Sequence, residues 1–263
     1  MKPNFVQNFS SVRWLLLRDL YVFKATMVST FIDSAVALFT EIILNVKLLP
    51  LMGMPRELIA PLYVGGIFAK LFFLAHSNSL RIQYEIRDGG LIFYEGTLPI
   101  DKSWLFARSL IRFTVETLLI LLPLILLSIP LVGQDLGIAS PQWGLLIFFI
   151  LASALFFGAL SIFIAHHYPF DWYMENIWPR RLSFLFMTSV LFVTWKRVLL
   201  YVPWFAYFTL LNPTTYFIEG MRAALFDPAL YLCQTVCVVG ACFFCILLVI
   251  LMYKSIIKRL DLV

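Results

Sequence analysis

The chain has 263 residues, 62% of them hydrophobic and only 13% charged, against roughly 45–50% apolar and about 25% charged residues in soluble domains. Together with a mean hydropathy of +0.91, that excess of apolar surface excludes a soluble globular domain and calls for lipid as solvent. The formal charge of +5 is therefore a question of placement across a bilayer, and no nucleic-acid partner is expected.

No linker, low-complexity tract or repeat divides the chain, so one membrane domain over 1–263 is expected. Residues 9–23 (FSSVRWLLLRDLYVF) place apolar side chains at helical spacing, with Arg13, Arg18 and Asp19 interleaved. This pattern predicts a helix lying in the cytoplasmic interface. The other reading, an extension of the first span, would put those charges at cost in hydrocarbon.

A hydrocarbon core needs about 20 apolar residues per helix, and such runs fall at 25–48, 58–79, 109–132, 143–166 and 229–252. The region 182–226 is less regular, because Lys196-Arg197, Pro203 and Asn212-Pro213 interrupt it. We read 182–202 as a further span and 203–226 as a re-entrant hairpin. The fold class is thus all-α integral membrane: six transmembrane helices, an N-terminal interfacial helix, and a re-entrant hairpin before the last span. Both termini then face the cytoplasm, which gives the inner segments fourteen of the 20 lysines and arginines, as the bias of cytoplasmic flanks requires.

The longest polar segment, 81–108, carries the turn Asp88-Gly89-Gly90 and an apolar patch between charges. It reads equally well as a docking knob or as a solvated loop packed on its own helix ends. As a knob, Glu85, Arg87, Asp88 and Glu95 would set orientation, while Leu91, Phe93 and Tyr94 would supply buried area.

Ionisable residues inside spans are costly and mark function by default. Here they are Asp33, Glu41, Lys70 and Glu116, with Lys47 near an outer edge. Lys70 is expected to pair with Asp33 or with Glu116, either as structure or along a route. Glu219 and Arg222, at i, i+3 spacing, are expected to pair and to face protein or water.

No glycine is followed by lysine, so the phosphate-cradling loop is missing. His166 and His167 point about 100° apart on a helix, and Cys233, Cys237, Cys242 and Cys245 diverge likewise. No metal site, catalytic group or bound cofactor is therefore expected.

Two stretches carry a family resemblance. LLNPTTYFIEGMRAALF at 210–226 is similar to the Asn-Pro-x-x-Tyr-x-x-Glu-x-x-Arg element of ABC (ATP-binding cassette) export permeases of the second type. Asn212, Pro213, Tyr216, Glu219 and Arg222 occupy its positions. GLIFYEGTLPIDKSWLFARSLIRFTVETL at 90–118 resembles the coupling region of the capsule and O-antigen polysaccharide exporters in that family. The glycine, tryptophan and proline that polysaccharide exporters carry after the interfacial helix are missing from 26–40.

The resemblance implies a permease in the cytoplasmic (inner) membrane, paired with a second copy or a related permease and bound to ATPase subunits that hold ATP and magnesium. It implies 81–101 as docking element and 203–226 as gate, with a polysaccharide, lipid-linked glycan, lipid or drug as cargo. A stand-alone intramembrane enzyme acting on lipids and a secondary transporter are the competing readings.

Overall fold

The computed structural model describes residues 5–87, 97–98, 100–138 and 140–260, and among them the regular structure is entirely helical. Helix α1 (Phe5–Glu41) continues without a break through a π-helical stretch, Ile42–Leu48, into the turn Leu49–Leu51. No glycine or proline occurs between Phe5 and Leu49 to stop it, and the chain turns only at Gly53, whose φ of 86° suits glycine.

Helices α2 (Arg56–Arg87), α3 (Lys102–Leu136) and α4 (Trp143–His167) follow. Gly137, with φ of 74°, closes α3 as a left-handed cap. Three helical stretches, Phe170–Trp172, Tyr173–Leu182 and Ser183–Thr188, then run together as one rod, α5. Short helices α6 (Trp195–Tyr201), α7 (Pro203–Thr209) and α8 (Pro213–Leu225) precede the final helix α9 (Gln234–Leu260).

Among the described residues five segments are long and apolar enough to cross a bilayer: Phe31–Leu51, Leu58–Arg87, Lys102–Leu136, Trp143–His167 and Gln234–Ile257. The protein is an all-α, multi-pass membrane protein.

Polar contacts fix the helix directions. Asp19 pairs with Arg108 and Lys47 with Asp135, so α1 and α3 run parallel over most of their length. Arg81 near the end of α2 meets Glu116 on α3 at 2.7 Å, and Tyr63 near the start of α2 neighbours Ser128 further along α3, which makes that pair antiparallel. Gln142 meets Gln234 and His167 meets Ser255, so α4 and α9 are parallel. One end of the bundle thereby gathers Arg81, Arg87, Lys102, Arg108 and Lys254. We call it the basic end.

Phe68, Phe149, Phe157 and Phe217 form the centre and are fully buried. Phe156 lies 4.8 Å from Phe217, and Phe72 stands edge-on to Phe157 at 5.2 Å. A Cβ at Gly158 would meet the backbone of Phe113 and Thr114, the small-residue contact by which helices in lipid approach closely.

Two expectations change. Residues 182–202 are not one helix: α5 ends at Thr188 and the chain runs non-helically to Thr194. Ser189, Val190, Val193 and Thr194 there are poor helix formers. Residues 9–23 are not a separate helix but the first part of α1, where Asp19 is buried against arginines of α3. Of segment 81–108, residues 81–87 close α2 and 102–108 open α3, while 88–96 and 99 lie outside the described residues.

Candidate functional site

The elements after α5 assemble around α8. Its first turn is preset by Pro213, which lacks the N–H a helix start cannot use. Asn212 caps it, with Oδ1 accepting from the Thr214 amide at 3.0 Å and hydroxyl at 2.6 Å. The Asn212 amide nitrogen donates to the Leu185 carbonyl at 2.6 Å and to Thr188 Oγ1 at 3.1 Å. One side chain therefore starts α8 and ends α5. Thr215 and Tyr216 donate back to the carbonyls of Thr209 and Leu210 at 2.8 and 2.7 Å, which closes the turn between α7 and α8.

From there α8 runs toward the end of the bundle opposite the basic one. Phe149 covers Gly220, and the Tyr216 ring covers Gly240 on α9. The Ala224 carbonyl accepts from the Gln142 amide at 2.8 Å, at the start of α4.

Glu219 and Arg222 are both fully buried and pair at 2.8 Å, the i, i+3 contact expected. Glu219 Oε2 also accepts from the Leu232 amide at 3.1 Å. Arg222 Nη1 donates to the carbonyls of Val190 at 2.6 Å and Val193 at 3.2 Å. Its Nη2 donates to the carbonyls of Leu191 and Pro61, both at 2.6 Å. The non-helical stretch 189–194 thus obtains from one guanidinium the bonds that a helix would supply internally. In hydrocarbon, unpaired backbone groups would cost several kcal/mol each.

Beside this element, at the same end, lies a cavity of about 570 Å³. Pro61, Thr194, Lys196, Arg197, Asp227 and Tyr231 are among its walls.

The intramembrane charges divide. Glu116 pairs with Arg81 and not with Lys70, because Arg81 on α2 reaches it from the basic end. Among the described residues Lys70 has no ion pair, being half-exposed and able to extend its ammonium along the surface. Glu41 accepts a hydrogen bond from Asn45 and fills the notch left by Gly66 on α2. Asp33 is exposed.

Of the docking candidates, Glu85 is half-buried and Arg87 lies 5.7 Å above the Phe170 ring. Asp88, Leu91, Phe93, Tyr94 and Glu95 lie outside the described residues.

Sequence reading missed the buried pair of Asp19 with Arg108, whose Nε and Nη2 donate at 2.8 and 2.7 Å. It also missed His76, which stacks on Trp178 at 3.6 Å and bonds Tyr173. Both join distant helices, and the only available signal was a polar residue recurring among apolar ones.

The thiols are free, with Cys233 and Cys242 exposed and Cys237 and Cys245 buried. Among the described residues no three His, Cys, Asp or Glu side chains converge as metal ligands. Comparison of the chain with protein-family models, curated proteins and solved structures gives no match.

Proposed function

We propose that the chain is the membrane-spanning subunit of an ATP-driven exporter, acting beside a second copy and powered by a separate ATP-binding cassette subunit. The observation that carries this reading is Asp33. It lies midway along α1 between Asp19 and Lys47, the two residues that tie α1 to α3. At ~1.5 Å per residue the stretch between those ties is about 40 Å long, close to the ~40–45 Å of a bilayer with its headgroups. Asp33 therefore sits near mid-depth, and it is exposed, as is Thr40 two turns on.

An ionisable side chain at that depth faces protein or water, not acyl chains. Among the described residues nothing covers this face of α1, so a second copy or an aqueous route between copies does. A permease with its pathway between two subunits needs such a face. A compact intramembrane enzyme would enclose its polar groups, and a secondary transporter would place them in its own interior.

The remaining parts fit the same scheme. The basic end is the cytoplasmic one by the distribution of Lys and Arg, with both termini there. The rod α5 with 189–194 makes a composite sixth crossing, and α6, α7 and α8 form the hairpin that enters from outside and acts as the gate. The segment 81–101 receives the motion of the ATPase, where ATP and magnesium bind. The cargo is an amphipath or polymer: polysaccharide, lipid-linked glycan, lipid or drug.

Two measurements test this reading. Thr40→Cys, in a background lacking exposed Cys233 and Cys242, should cross-link between copies or label with a membrane-impermeant thiol reagent. Asp88→Lys with Tyr94→Ala should abolish co-purification of the ATPase, or uncouple substrate-dependent ATP hydrolysis, while the permease still inserts. An inert Thr40→Cys thiol, or lipid turnover or ion-driven transport by the chain alone, would overturn the proposal.

A further inference from the structure

Glu41 lies inside the span Phe31–Leu51, about 9 Å from Lys47 toward the basic end at ~1.5 Å per residue. At about 100° per residue it shares a face of α1 with Ser34 and Leu38, which are both buried. Thr40 and the open face of α1 point elsewhere. The Glu41 carboxylate packs against Gly66 of α2, whose missing side chain makes the room.

Glu41 also ends the α-helical part of α1, because the π-helical stretch Ile42–Leu48 begins directly after it. Such wider turns inside a long helix are rare and gather at functional positions. This one carries Asn45, whose amide nitrogen donates to Glu41 Oε2.

No cation pairs with Glu41 among the described residues. Lys47, further along the same rod, is held by Asp135 of α3. Nearer the basic end, Arg81 of α2 and Glu116 of α3 hold each other. Lys70 of α2 stands one turn from Gly66 and extends along the surface, and Asp33, two turns back on α1, is exposed. What α2 offers on the other side of Gly66 is a phenol. Tyr63 is 1% exposed, and its hydroxyl has no hydrogen-bond partner. It neighbours Ser128 of α3 and lies within electrostatic range of Glu41. The Ser128 hydroxyl donates in turn to the Ile125 carbonyl at 2.6 Å.

We infer that Glu41 is a proton-binding site inside the membrane, a carboxylic acid that donates toward the orphaned Tyr63 hydroxyl. A carboxylate turned into protein without a cation costs far more than a neutral, hydrogen-bonded acid, so a group so placed takes up a proton. With that proton on Oε1, Glu41, Tyr63 and Ser128 each pass a hydrogen to the next member, and the row ends on the Ile125 carbonyl. A buried polar row is stable when every member is satisfied, and this arrangement satisfies Tyr63. A metal cation fits less well. Asn45 turns its amide nitrogen to the carboxylate, whereas hard cations gather about six or more oxygens. The site belongs to a single copy of the chain and does not depend on what the protein exports.

The test is infrared spectroscopy of the full chain in bilayers of ether-linked lipid, which have no ester carbonyl of their own. A protonated carboxyl shows a C=O stretch above the amide band, and a glutamate in water, ionised at neutral pH, shows none. The wild type should show this band at neutral pH. Glu41→Gln, whose amide keeps the shape of the neutral acid, should lose it, and Glu116→Gln should keep it. Tyr63→Phe should keep the band but shift it, because the acid loses its acceptor.

A wild-type spectrum without the band, or a band that survives in Glu41→Gln, overturns the inference. So does a band that appears only in Lys70→Met, which would show Glu41 ionised against Lys70. Loss of the band on adding sodium ions would make this a cation site and would overturn it too. An unshifted band in Tyr63→Phe would remove Tyr63 as the acceptor and, with it, the row.

Discussion

The guanidinium of Arg222 donates to the carbonyl of Leu191 at 2.6 Å, joining α8 to the only long non-helical stretch among the described residues in the bundle's interior. The same group holds Val190, Val193 and Pro61, and its charge is matched by Glu219. A side chain thereby does for 189–194 what the internal hydrogen bonds of a helix do elsewhere in the molecule.

Arg222→Met should consequently be among the most damaging single changes. It leaves Glu219 buried without its partner and frees four carbonyls, and breaking a buried pair from one side costs about 3–5 kcal/mol. We expect a large loss of folded protein, measured as the monodisperse fraction after heating in detergent. Glu219→Leu added to Arg222→Met should recover part of it, because the stranded charge is gone.

Gly65 on α2 tests the same stretch from its other side. A Cβ there would fall on the Leu191 carbonyl, whereas one at Gly144 would meet open space. Gly65→Ala should therefore displace 189–194 and lower the unfolding temperature, while Gly144→Ala should leave it unchanged or slightly raised. Equal behaviour of the two variants in a thermal scan would contradict the close approach.

The two ties between α1 and α3 should differ in worth. Lys47 and Asp135 are both about half exposed, and exposed pairs contribute about 0–1 kcal/mol. Asp19 and Arg108 are almost wholly buried, so Asp19→Asn leaves a desolvated arginine with weakened compensation. Asp135→Asn should barely move the denaturation midpoint, and Asp19→Asn should move it clearly downward.

Cys233 gives a pH-dependent readout at the far end. It is exposed at the start of α9, where the backbone amides of Thr235 and then Val236 stabilise its thiolate and hold its pKa below the ordinary thiol value. Since the thiolate is the nucleophile, its alkylation rate should rise through a midpoint below the ~8.5 of a free cysteine. At neutral pH it should react faster than Cys242, and buried Cys237 should stay unlabelled until the protein is unfolded. Labelling followed by peptide mapping between pH 6 and 9 checks this.

The residues that could be read directly were those whose meaning is local. Apolar runs located the five long helices, since a bilayer-length helix satisfies its backbone internally and needs no distant partner. Asn212-Pro213 was legible as an interruption of the apolar run, because a cap and a preset φ act within four residues. The pair of Glu219 with Arg222 was legible because three residues is one helical turn.

What depended on contact between distant segments was not legible. Nothing in 189–194 announces that Arg222 will supply its hydrogen bonds, so 182–202 read as one span where two helical pieces flank a non-helical stretch. Glu116 read as a partner for Lys70 because both are charges in spans at similar depth. The antiparallel register of α2 and α3 gives it to Arg81 instead. Likewise Asp19 and Arg108 stand 89 residues apart in the chain, and only the parallel packing of α1 on α3 brings them together. Sequence alone determined that this chain lives in lipid, because solvent preference is a sum over residues. Tertiary structure decided which charges are paired, which backbone is rescued and which face of α1 is left open, because each depends on what a neighbouring helix presents at the same depth.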